Sequence, residues 1–132
     1  MGTMSGNILG LAGELRVMSE LLLRGHNPAK SYLEDGADIV LENGLRIEVK
    51  SAHKLAQKRT KAYFFSLRGG HRKEKQDLSK CGAIICWCID EDCFYIIPSI
   101  EIQSSAIAIY DTSGSKSKYA SYRNNWELLK GR

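Results

Sequence analysis

One fifteen-residue stretch constrains this chain more than any other: Gly36-Ala37-Asp38-Ile39-Val40-Leu41-Glu42-Asn43-Gly44-Leu45-Arg46-Ile47-Glu48-Val49-Lys50. It reads as two strands and a tight turn, because Asn-Gly between β-formers is a strong hairpin signal. Side chains alternate across a strand, so Leu45, Ile47 and Val49 share one face and Arg46, Glu48 and Lys50 the other. On the first strand Ile39 and Leu41 lie opposite Asp38 and Val40. Two registers compete. A two-residue Asn43-Gly44 turn pairs Glu42 with Leu45 and sets Asp38 against Val49, on the apolar side. A three-residue loop, Glu42-Asn43-Gly44 with Gly44 left-handed, pairs Leu41 with Leu45, Ile39 with Ile47 and Asp38 with Glu48. The second register gathers the apolar residues on one face and both carboxylates on the other. Because a buried face dictates register, the three-residue loop is expected. Directly opposed Cβ atoms lie roughly 4.5–5.5 Å apart. Two carboxylates that close repel unless one is protonated or a cation lies between them. The pattern therefore asks for a cation.

Asp38 and Glu48 are hard oxygen donors suited to Mg²⁺ or Mn²⁺. Lys50 follows on the same face, where an ammonium can orient or deprotonate a water, or neutralise charge building on phosphorus. A basic tract begins there. Residues 50–75 hold nine Lys or Arg against Glu74 alone, while the whole chain is only +4, so the remainder is net acidic. Such a run is either a solvated face or a phosphate-binding surface. Its start beside the carboxylates favours the second, with Lys54, Lys58, Arg59, Lys61, Arg68, Arg72 and Lys73 as candidate nucleic-acid contacts. The pieces together describe metal-assisted phosphodiester hydrolysis.

The 132 residues suit one α/β domain spanning 1–132, with residues 1–7, small and polar, expected to be flexible. Residues 8–24 predict a helix, with Asn7 as N-cap and Gly25 as stop. Its packed face is expected to be Leu11, Leu15, Met18 and Leu22. Glu14 then sits on the flank, able to reach a site bordering the sheet or to make a boundary salt bridge, while Glu20 faces solvent. His26 is expected to be a surface turn residue. Residues 51–60 should loop away from the sheet. Ala62–Leu67 reads as a third strand with Tyr63, Phe65 and Leu67 on one face. Residues 68–75 read as a loop and 76–81 as a helical turn. Ala83–Ile89 is apolar on both faces, as a central strand is, and Cys93–Ile97 returns after the acidic turn Asp90-Glu91-Asp92, whose carboxylates should face water. Residues 106–110 suggest an edge strand. Tyr119, Tyr122, Trp126 and Leu129 are spaced for a terminal helix packed on the sheet. The spacing of Cys81, Cys86, Cys88 and Cys93 does not suit zinc, and buried thiols are expected. No leader opens the chain and its longest apolar run is too short to cross a bilayer. A cytoplasmic or nucleoid-associated protein, neither secreted nor membrane-bound, is expected.

Asp38, nine residues, then Glu48-Val49-Lys50, preceded by a helix carrying Glu14 in Gly13-Glu14-Leu15-Arg16-Val17, resembles the PD-(D/E)XK nuclease superfamily. Ala37 stands where that motif has Pro. The resemblance covers about residues 8–68. It implies a restriction-endonuclease-like core: a central mixed β-sheet flanked by helices, built from a helix, a three-stranded meander, another helix and a further strand. It also implies that Asp38, Glu48 and the Val49 carbonyl ligate Mg²⁺ or Mn²⁺, that Lys50 positions the attacking water, and that Glu14 is the acid of the first helix. Small intron-encoded homing endonucleases look similar in layout, with a late strand like Phe94–Pro98 and aromatics like Tyr119 to Trp126, although they can carry Gln at the position of Glu48. Archaeal Holliday-junction resolvases are similar in size. The implied activity is DNA endonuclease, acting as a homodimer or higher oligomer because a double-strand cut takes two active sites. The alternative from another class is a non-catalytic nucleic-acid-binding module on the same scaffold.

Overall fold

The computed structural model describes residues 6–31, 38–57, 60–67, 81–110, 112–113 and 117–130. Helix α1 (Gly6–Leu23) is followed by β1 (Ala29–Lys30), β2 (Ile39–Val40), β3 (Arg46–Ala52), β4 (Leu55–Gln57), β5 (Thr60–Ser66), β6 (Ala83–Cys88), β7 (Cys93–Pro98) and β8 (Ala106–Ile109). Five strands form a mixed sheet in the order β1-β2-β3-β6-β7, parallel only between β3 and β6. The strands β4-β5-β8 form a second, antiparallel sheet.

Alternation along the central strands sorts the core into two layers. Ile47, Val49, Ala83, Ile85, Phe94 and Ile96 pack with Val17 and Leu21 of α1 and with Trp126 and Leu129. Ile84, Cys86, Cys88, Cys93, Tyr95 and Ile97 pack with Tyr63, Phe65 and Leu67 of the β5 segment and with Ile107 and Ile109 of β8. The central strand β6 is apolar on both faces because both faces are covered, as its sequence suggested. Tyr63, Phe65 and Leu67 are buried together, as expected, while Ser66 is exposed. Their strand nevertheless belongs to the second sheet, so β3 has parallel β6 as its neighbour, and the three-stranded antiparallel meander is made by β1, β2 and β3 instead. Nor does the chain simply loop away after β3. Strand β3 runs on to Ala52, and β4 pairs back onto β5. The expected helical turn at 76–81 falls outside the described residues except for Cys81.

The packed face of α1 differs from the one its apolar spacing suggests. Gly13, Val17 and Leu21 are buried and Met18 of the expected face packs against the same core, whereas Leu11, Leu15 and Leu22 are 44%, 57% and 59% exposed. Apolar residues surround this helix, so close approach makes the choice. A Cβ on Gly13 would lie 1.8 Å from Ser51 Oγ, and only the glycine lets α1 lie directly on β3. Glu20 is not free in solvent either, since Arg16 and Arg24 each donate to it at 3.1 Å. The helix takes in Gly6 and Asn7, so Asn7 is not its cap. Gly25, at φ +90°, ends it as expected, with His26 N–H donating to Leu21 O at 2.9 Å and Gly25 N–H to Leu22 O at 3.1 Å.

The C-terminal segment is not an α-helix. It forms two 3-10 turns, Ala120–Tyr122 and Trp126–Leu129. Between them Arg123 bridges to Tyr95, and Asn124, at φ +50°, donates its N–H to Phe94 O at 2.6 Å. A backbone committed to β7 cannot also continue a helix. Trp126 and Leu129 are still buried on the sheet, as their apolar character demands. All four cysteines are buried and free. No described helix is long and apolar enough to cross a membrane.

Candidate active site

The hairpin closes through the three-residue loop. Gly44 sits at φ +84° and donates its N–H to Leu41 O at 2.9 Å, while Leu41 N–H donates to Leu45 O at 2.9 Å. Ile39 lies opposite Ile47, and Asp38 N–H donates to Ile47 O at 2.8 Å. Asp38 lies next to that pair, and its Oδ2 accepts the Val49 N–H at 2.8 Å, so its carboxylate sits at the β3 backbone beside Glu48. Asn43 Oδ1 supports the turn by accepting from Leu45 N–H at 3.0 Å. Glu42 anchors it from outside, accepting Asn27 N–H at 2.7 Å and lying 3.0 Å from His26 Nδ1. These bonds, Asn27 first and then His26, hold the Glu42 carboxyl down at about 2. His26 is thus the clasp between the end of α1 and the hairpin, rather than a free surface residue.

Glu48 is buried, and Lys50 Nζ stands 3.5 Å from its Oε1. Asp38 Oδ2 accepts Val49 N–H at 2.8 Å. Burial nonetheless pushes the Asp38 carboxyl up, against the opposing pull of the Val49 bond, Lys50 and Lys30. Glu14 reaches the same region from the flank of α1. Its carboxyl is raised first by burial and then by the charge of Asp38, with Lys30 opposing both. Lys30 Nζ lies 3.8 Å from Glu14 Oε1. The structure thus gathers Glu14, Asp38, Glu48 and Lys50, and adds Lys30, which the sequence reading missed. Its strand is only two residues long and follows Pro28, so no alternating pattern marks it.

Of the candidate DNA contacts, Lys61 is exposed on β5. Lys54 is already engaged, 2.8 Å from Glu91 Oε1 and over the ring of Tyr63. Lys58, Arg59, Arg68, Arg72 and Lys73 lie outside the described residues, as does His71. The acidic turn also departs from expectation, because none of its carboxylates is left to water alone. Asp90 pairs with His53 at 2.8 Å, and Asp92 accepts from Arg16 at 2.9 and 3.1 Å and from Trp87 Nε1 at 2.7 Å. Glu91 accepts from Lys54, Thr112 and Tyr63.

The donor set at Asp38 and Glu48 suits Mg²⁺ or Mn²⁺. Mg²⁺ binds through one or two carboxylates and completes its shell with water and phosphate. The charge repulsion between Asp38 and Glu14 is of the kind a divalent cation relieves. Among the described residues, no group of three or more His, Cys, Asp or Glu side chains is placed to hold a metal ion.

A solved bacterial homing endonuclease, I-Ssp6803I, has a similar structure, with a TM-score of 0.77 over 96% of this chain and 93% of that one. The two sequences are 18% identical, so the likeness is one of fold. It bears out the expected α/β class with a central mixed sheet, here carrying one α-helix among the described residues. No family model and no curated protein matches the chain.

Proposed function

We propose that this protein is a DNA endonuclease that hydrolyses phosphodiester bonds with Mg²⁺ or Mn²⁺. The observation that carries the reading is Asp38 held on the Val49 N–H beside Glu48, with Lys50 3.5 Å from Glu48 and the Glu14 carboxyl of α1 feeling the Asp38 charge. The fold shared with a bacterial homing endonuclease supports it. Asp38, Glu48 and the Val49 carbonyl would hold the cation, with Glu14 available as a further ligand. When bound, the cation supplies an acidified water and neutralises charge on the scissile phosphate.

The chain's own residues do the positioning. Burial of Glu48 keeps its charge poorly screened, so it holds the Lys50 ammonium at the site. Lys50 Nζ then donates hydrogen bonds to the attacking water and to a non-bridging phosphate oxygen, where negative charge grows. Asp38 is fixed by the Val49 N–H, and Glu14 is held against Lys30. The basic tract beyond Lys54, with Lys61 exposed on β5, neutralises neighbouring phosphates. Cutting both strands requires two such sites and hence two copies of the chain.

Digestion of supercoiled, linear and branched DNA with Mg²⁺ or Mn²⁺ tests this. The wild-type chain is expected to nick or cut at least one of them. Asp38→Ala and Glu48→Ala should abolish cleavage and Lys50→Ala should slow it steeply, while each variant retains DNA in a gel shift. Binding without cleavage on every substrate would instead make the chain a non-catalytic nucleic-acid-binding module.

A further inference from the structure

We infer that the Lys30 ammonium is the second cation of this site, so that the chain takes one divalent metal where Glu14 and Asp38 would otherwise gather another. The inference rests on the metal-dependent reading above. It adds to that reading the number of metals and the residue that sets it.

Backbone pairing fixes where Lys30 stands. Strand β1 pairs with β2 so that Lys30 opposes Ile39, the neighbour of Asp38, and Ser31 N–H donates to Asp38 O at 2.8 Å. Helix α1 brings Glu14 to the same place, with its Oε1 3.8 Å from Lys30 Nζ. The Lys30 charge reaches Asp38 too: burial raises that carboxyl, and the Val49 bond, Lys50 and Lys30 oppose it. One ammonium thus serves two carboxylates that come from different parts of the chain. Lys50 serves the third, 3.5 Å from Glu48 Oε1.

The charges of this cluster show what Lys30 changes. Glu14, Asp38 and Glu48 set three carboxylates against the two ammoniums of Lys30 and Lys50, which leaves one negative charge. One divalent cation turns that into one positive charge, which a single phosphodiester neutralises. A second divalent cation would have to bind at Glu14 and Asp38, against the like charge of Lys30 already there. Without Lys30, Glu14 and Asp38 are left to repel each other, and a second cation relieves that repulsion.

In sites with two metals, the pair clamps the attacking and the leaving oxygens of the displacement. An ammonium beside the metal supplies part of that charge as a hydrogen-bond donor to phosphate oxygen, without needing a shell of ligands. The Lys30 side chain is 37% exposed, and its flexible four-carbon stem lets the amine meet an incoming phosphate.

Counting bound ions tests this without reference to cleavage. Mn²⁺ is titrated into the full chain without DNA, and the free ion is followed by its electron paramagnetic resonance signal. The wild type should bind one ion per chain. Lys30→Met keeps the apolar stem, removes the charge and should bind two. Lys30→Gln carries the same expectation should the Met variant fold poorly. Lys30→Arg restores the charge and should return the count to one, as should adding Glu14→Gln to Lys30→Met. Two ions in the wild type, or one in both uncharged variants, overturns the inference and leaves the nuclease reading standing. Two ions in Lys30→Arg overturns it as well, because the charge would then not be what excludes the second metal. No ion bound by any of these chains overturns both the inference and the metal-dependent reading beneath it.

Discussion

The chain carries two clusters of acids, and they are built on opposite principles. At the turn Asp90-Glu91-Asp92 each carboxylate has a close charged or hydrogen-bonding partner, at 2.7–3.1 Å where those from His53, Lys54, Tyr63, Trp87 and Arg16 are measured. Arg16 holds the Asp92 carboxyl below its ordinary value. Burial raises Glu91, but the bonds from Lys54, Thr112 and Tyr63 together outweigh it and leave that carboxyl lowered too. At the Asp38 site the cations stand farther off, at 3.5 and 3.8 Å, and both Asp38 and Glu14 are raised, burial being the largest cause in each. The first cluster is a rivet joining the β3–β4 connection, β5 and α1 to the end of β6. At the second, burial outweighs the nearby cations and holds Asp38 and Glu14 above their ordinary values, a perturbation that marks a candidate functional site.

The contrast is sharpest in activity. Lys50→Ala should lower the cleavage rate by about 10²–10⁴-fold and leave DNA affinity within a few-fold, measured by single-turnover digestion beside a gel shift. A variant that cuts at the wild-type rate would remove Lys50 from the chemistry. Next in size is the response to metal. Mg²⁺ at a hundredfold excess over its dissociation constant should stabilise the wild type by about 2.7 kcal/mol. Asp38→Asn should lose that gain in a thermal or urea melt. Glu91→Gln, in the rivet, should do the reverse. It weakens bonds to a carboxylate and should cost about 1–3 kcal/mol of stability, while the Mg²⁺ response and the cleavage rate persist. If Glu91→Gln instead removed cleavage and spared stability, the roles assigned to the two clusters would be exchanged.

The two clusters also differ in how far the sequence discloses them. The three-residue turn and the Ile39–Ile47 register beside Asp38 and Glu48 are legible because local rules fix them: Asn43-Gly44 chemistry, alternation, and one apolar face that must be buried. The partners of the rivet are not, since His53, Lys54, Arg16 and Thr112 lie far from residues 90–92 in sequence and are delivered by tertiary structure. Lys30 is hidden for the same reason, on a strand too short to show a pattern. The face of α1 is misread because apolar residues surround the helix. The deciding contact, Gly13 against Ser51, is a matter of distance between backbones that no periodicity records. The terminal aromatics were legible as packing residues, but not as 3-10 turns, because Asn124 and Arg123 give their backbone to β7.

The smallest effect divides the clusters by sign. A carboxyl raised in the folded chain adds stability that is complete below its unfolded value and lost as pH rises through the folded one. Glu14 therefore costs stability once it ionises at neutral pH. Glu14→Gln should be slightly more stable than wild type at pH 7, and the advantage should vanish on acidification below the ordinary carboxylate range, where the wild-type side chain is neutral too. A carboxyl lowered in the folded chain behaves oppositely: its contribution is complete above the unfolded value and lost as pH falls through the folded one. The deficit of Glu91→Gln should accordingly be full at pH 7 and shrink only as acid reaches that lowered value. Urea melts of both variants and the wild type across this range give two difference curves of opposite sign, converging toward zero in acid. Saturating Mg²⁺ should reverse the Glu14→Gln difference if Glu14 ligates the cation, because the charge that burial penalises then gains a partner, and should leave the Glu91→Gln curve where it was.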